Sequence, residues 1–84
     1  MKVHKRTEFG QYIVADPKIC HGQLTFKDTR ILVKSVLYYV AQGKDWSWIS
    51  QAYYSKVSRE AIAEAVNLAN AALLEKMGDR RQAA

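Results

Sequence analysis

Two short apolar runs, Tyr12-Ile13-Val14 and Leu24-Thr25-Phe26, stand near the start of the chain and carry the β-branched and aromatic residues that suit strands. Asp16-Pro17 lies between them, where proline fixes φ and removes a backbone donor. Gly22 supplies a second bend. The pattern predicts a β-hairpin from about Tyr12 to Phe26. The period then changes. Val33, Val36, Leu37, Val40 and Ala41 recur at helical spacing and predict a helix from about Leu32 to Gln42, ended by Gly43. Asp45 is placed to cap a short second helix, Trp46 to Tyr53, with Trp46, Ile49 and Tyr53 on its inner face. The connection Gly43-Lys44-Asp45 has the length and composition of a helix-turn-helix junction.

Ser58 reads as the N-cap of a third helix, with Val57 before it and Ile62 placed to complete a hydrophobic staple. That helix is expected to run from Arg59 to about Met77 and to stop at Gly78. Ile62, Val66, Ala69 and Leu73 form one stripe; Ala61, Ala65, Leu68 and Ala72 form a second. Together they span more arc than a helix with one buried face requires. Some nineteen residues at 1.5 Å rise give about 28 Å, longer than two short helices can cover. The excess predicts contact with another chain, a homodimer or a hetero-complex, through the third helix. The fold class expected is α+β, mainly α: a short N-terminal β-hairpin and a three-helix helix-turn-helix unit, homeodomain-like or winged. Residues 1–10 read as a mobile basic arm, 11–77 as the single domain and 78–84 as a frayed tail.

Composition narrows the class. Eighty-four residues make one domain, and a chain of this size buries only roughly 60% of its unfolded surface, which makes association attractive. Hydrophobic content of 49% with 25% charged residues fits a folded protein. No apolar run approaches the ~18 residues of a membrane span, and the basic N-terminus lacks the apolar stretch of a signal peptide. The lone Cys20 has no intramolecular disulfide partner. A cytoplasmic protein without membrane contact is expected. Of the net charge of +5, residues 1–34 hold seven Lys/Arg against three acids, and residues 35–84 six against five. A basic first third suggests an acidic partner.

For DNA, Lys56, Ser58 and Arg59 would open the recognition helix, while Lys5, Arg6, Lys27 and Lys34 could hold phosphates. Glu60 and Glu64 on the same helix would repel them. For a protein partner, Trp48 and Tyr54 are surplus aromatics of the type enriched at interface hot spots, and Leu68 and Ala72 lie on the second stripe. Thr29 can cap the first helix, and Arg30 can fork onto Asp16 or Asp45. Cys20-His21 would point to opposite faces of a strand, so they make no catalytic dyad. Ligands for a metal are too few. No catalytic residue, metal or cofactor is expected, and the chain reads as a non-enzyme.

In order, Asp16-Pro17, Ile19-Cys20-His21-Gly22, Thr29-Arg30-Ile31 with Val33, Gly43, Tyr53, and Ser58 with Glu60 and Ile62 make a pattern. It resembles the bacterial domain of unknown function 433 family over roughly Tyr12 to Leu73. Gly22, Thr29, Arg30 and Gly43 are the structural positions this resemblance picks out. Asp28 stands where the family usually has glycine before Thr-Arg, Leu24 where it commonly has proline, and Tyr54 where proline usually follows the aromatic that closes the second helix. The resemblance implies an antitoxin-like protein of a type II toxin–antitoxin pair. Such a protein would sequester a PIN-like ribonuclease and bind its own operator. The alternatives are a stand-alone DNA-binding regulator and an oligomerisation module without a nucleic-acid role.

Overall fold

The computed structural model describes residues 6–83, and the side-chain surroundings of residues 6–78. Three strands, β1 (Thr7–Phe9), β2 (Ile13–Ala15) and β3 (Leu24–Phe26), form an antiparallel sheet in the order β1-β2-β3. The expected hairpin is β2–β3, with Ile13 opposite Phe26 and Val14 opposite Thr25. β1 is an addition, because residues 7–9 fall within the stretch read as a mobile arm. Phe9 pairs with Ile13 across β1–β2, and Gly10 makes the turn at φ +86°. The outer edge of β3 is not open: Phe26 N–H donates to the Ile31 carbonyl at 3.1 Å, and Leu32 bridges to Thr25.

Between β2 and β3 the chain turns twice. Asp16 accepts from Lys18 N–H through its side chain (2.9 Å) and from Ile19 N–H through its carbonyl (2.9 Å). Cys20, His21 and Gly22 then follow one another in the left-handed region, at φ 50°, 58° and 81°. Cys20 and His21 are therefore in a tight turn and not on a strand. Asp28 also takes a left-handed conformation, at φ +62°. Thr29 does not cap the first helix as expected. Its hydroxyl donates to the Phe26 carbonyl (2.8 Å) and accepts from Ile31 N–H (3.0 Å), tightening the turn ahead of it.

The first helix, α1 (Val33–Ala41), ends in a Schellman motif: Gly43 at φ +83° donates to the Val40 carbonyl (3.0 Å) and Lys44 to that of Tyr39 (3.1 Å). The second, α2 (Trp46–Ala52), starts at Asp45, whose carboxylate accepts from Ser47 N–H at 3.1 Å. It ends in the same motif, with Tyr54 at φ +56° donating to Gln51 (3.0 Å) and Ser55 to Ser50 (2.8 Å). Proline could not replace Tyr54 here, since its ring holds φ near −65°. The third helix, α3 (Arg59–Ala83), opens on the Ser58 hydroxyl, which accepts from Ala61 N–H at 3.1 Å. It does not stop at Gly78, and residues 79–83 continue the helix instead of forming a frayed tail. An interior glycine costs about 1 kcal/mol against alanine. No proline follows, and apart from Asp79 the flanking Glu, Lys, Met, Arg, Gln and Ala are good helix formers.

The three helices pack on one another, and α1 and α3 also on the sheet. One core results, built from Ile13, Phe26, Val33, Val36, Ile49, Val57, Ala61, Ile62 and Ala65. Val57 and Ile62, the two ends of the staple, are both fully buried. From Asn67 to Met77 every α3 residue is exposed. The helix leaves the body of the domain roughly a third of the way along its length.

Candidate functional site

Where α3 leaves the body, its inner face forms one wall of an apolar groove of about 270 Å³. Ala65, Leu68, Ala69 and Ala72 supply this wall at the spacing of one helix face. The opposite wall comes from Phe9 of β1, Ile13 of β2, Leu24 of β3, and Val33 and Leu37 of α1. Small alanines on one side and large side chains on the other leave a trough. Beyond it, Leu73, Leu74 and Met77 are each more than half exposed. The expected partner residues Leu68 and Ala72 therefore lie together, in a groove that also draws on β1. Trp48 and Tyr54 do not join them, since no groove residue comes from α2 or the turn after it.

Trp48 belongs to a separate aromatic cluster on α1 and α2. Tyr39 is its centre, edge-on to Tyr38 (ring centroids 5.7 Å apart), Trp48 (5.4 Å) and Tyr53 (6.4 Å). Lys44 Nζ lies 4.9 Å from the Trp48 ring centroid. Partial burial, with Tyr39 alongside, pushes the Tyr53 phenol above its ordinary value. Lys34, Ser35, Tyr38, Tyr39 and Tyr53 line a shallow cleft on this face.

The expected phosphate-binding residues are dispersed. Lys5 lies outside the described residues. Arg6 and Lys27 both reach Glu8, at 3.1 and 3.2 Å, and hold its carboxylate below the usual range, Lys27 contributing most. Lys34 belongs to the aromatic cleft, Lys56 sits with Arg30 and Asp28 in another shallow cleft, and Arg59 with Glu60 and Trp46 in a third. Ser58 spends its hydroxyl on the α3 cap. Glu64, expected to repel phosphates, is occupied elsewhere. Its carboxylate accepts from the N–H groups of Gln11 (2.9 Å) and Tyr12 (2.7 Å).

Arg30 is exposed and makes no ion pair with Asp16 or Asp45; its carbonyl instead faces the Cys20 thiol at 3.7 Å. Gly22 and Gly43 take the positive φ expected of turn glycines. Among the described residues no group of three or more His, Cys, Asp and Glu could hold a metal ion, and no helix is long and apolar enough to cross a membrane. The sequence reading missed Phe9, Gly10 and the Glu64 tie. A glycine after Thr-Glu-Phe was the one local signal available.

Residues 13–69 match the family model described as protein of unknown function (DUF433), and the chain belongs to that family. The match spans β2 to the point where α3 leaves the domain. No curated protein and no solved structure matches the chain.

Proposed function

We propose that this DUF433 member works by binding, as an antitoxin-type protein that captures and neutralises a PIN-like ribonuclease. The observation that carries the reading is the apolar groove together with the exposed leucines and methionine on the projecting part of α3. Leu68, Leu73, Leu74 and Met77 are exposed on a helix whose proximal third is locked into the core. A hydrophobic groove bordered by a projecting helix suits the docking of a partner's amphipathic helix. The chain carries no residue assigned to catalysis in this reading, and neutralisation follows from occupying the partner.

Co-expression with the product of the neighbouring open reading frame, followed by purification through a tag on this chain alone, tests the reading. A stoichiometric complex that relieves the neighbour's toxicity, and that Leu68→Asp disrupts while the domain stays folded, is expected. A lone homodimer with no toxicity to relieve would favour the stand-alone DNA-binding regulator. A second reading, a DNA-binding regulator, has one observation in its favour: the Glu64 carboxylate is held by the β1–β2 turn and so is not turned toward a phosphate. Operator binding that weakens steeply with salt, without any partner protein, would support it.

A further inference from the structure

On the aromatic face of α1 and α2, Tyr39 and Tyr53 pack against the core, whereas Tyr38 and Trp48 belong neither to the core nor to the groove. Tyr38 is 59% exposed and Trp48 45%, although both rings are held edge-on by Tyr39. Rings that are both exposed and fixed lose little freedom when something stacks on them. The same face is cationic. Lys34 lines the cleft with Tyr38, Tyr39 and Tyr53, and Lys44 stands over Trp48. Neither α1 nor α2 contains an Asp or Glu. The nearest carboxylate in sequence, Asp45, is engaged in capping α2.

We propose that this face binds single-stranded nucleic acid, with Tyr38 and Trp48 as stacking platforms for bases and Lys34 and Lys44 as phosphate contacts. Fixed aromatics beside cations, on helices that themselves carry no Asp or Glu, suit an unpaired strand. Stacking decides between partners. In a duplex the base faces are already covered, and an acidic peptide satisfies the lysines but leaves the rings idle. The stacking rings lie outside the groove of the ribonuclease reading, although Lys34 also borders its residues Leu24, Val33 and Leu37.

The test is fluorescence anisotropy with a labelled twelve-nucleotide oligothymidine, set against a duplex of equal length. The full chain should bind the single strand more tightly than the duplex. With two phosphate contacts and a slope of about −0.7 per contact, affinity should fall roughly sevenfold between 50 and 200 mM salt. Tyr38→Ala should weaken binding about tenfold and Tyr38→Phe should not, since stacking needs the ring and not the hydroxyl. Trp48→Ala should behave like Tyr38→Ala; should it unfold the domain, the more exposed Tyr38 still decides. No binding at 50 mM salt, equal affinity for the duplex, an unchanged Tyr38→Ala variant, or equal competition by polyglutamate would each overturn the proposal.

Discussion

Gly10 lies directly against the carboxylate of Glu64: a Cβ at Gly10 would stand 2.5 Å from Glu64 Oε2. The same carboxylate receives the next two backbone N–H groups of the turn, so β1 is fastened to α3 by a residue more than fifty positions away. Gly10→Ala meets both the positive φ and the close approach, and should cost about 1–3 kcal/mol. Glu64→Gln keeps one acceptor oxygen and should cost less. Urea denaturation of both variants checks the order, and a Gly10→Ala protein as stable as the parent would remove the clamp.

Tyr54 occupies the left-handed position that closes α2, yet its side chain is 87% exposed and packs on little. Replacing it with glycine relieves the strained φ and removes almost no buried surface. Tyr54→Gly should gain about 0.5–1 kcal/mol in chemical denaturation. A loss would show that the ring makes a stabilising contact in solution.

The Thr25 hydroxyl is buried without a hydrogen-bond partner among the described residues. An unpaired buried hydroxyl costs more than the methyl that would replace it. Thr25→Val should therefore raise stability by about 1–2 kcal/mol in the same assay.

Gly78 continues α3 with nothing within 4 Å of an added Cβ. Gly78→Ala should strengthen the helix locally by about 0.5–1 kcal/mol, read as a gain in far-UV helical signal that persists to higher temperature. Gly78→Pro should remove helix on both sides of the substitution. If neither change alters the signal, α3 ends before Gly78.

Glu8 is held charged by Lys27 first and Arg6 second. A carboxylate lowered in the folded state stabilises above its ordinary range, and that contribution is lost as pH falls through the depressed value. With Glu8 at the surface the effect on stability is small. NMR titration of the Glu8 carboxyl is the direct readout. Lys27→Ala should raise its midpoint more than Arg6→Ala does.

The local parts of the fold were legible from residue types. Asp45, Ser58 and Gly43 mark their helix ends because caps and left-handed glycines act within a few residues of themselves. The β2–β3 hairpin follows from its apolar runs and turns. β1 was hidden for the opposite reason. Thr7-Glu8-Phe9 has a single apolar residue and is secured by Glu64, a tie that no local window contains. The overrun of α3 past Gly78 shows a stop signal outweighed by good helix formers on both sides. Within the candidate surfaces, periodicity placed Leu68 and Ala72 on a common stripe. It could not separate them from Trp48, because the division between groove and aromatic face depends on how three helices and a sheet are packed.

α3 passes from a buried first third to a wholly exposed stretch without a break, and this gives one helix two lifetimes. Amides near Ile62 and Ala65 are expected to open only when the domain unfolds, and those beyond Asn67 by local fraying at far smaller free energy, which hydrogen exchange would read. A protease sampling such openings meets the distal turns first and reaches the core only through global unfolding. A partner that covered Leu73, Leu74 and Met77 would therefore also guard the chain against turnover, and the abundance of this protein in a cell would then track the occupancy of its longest helix.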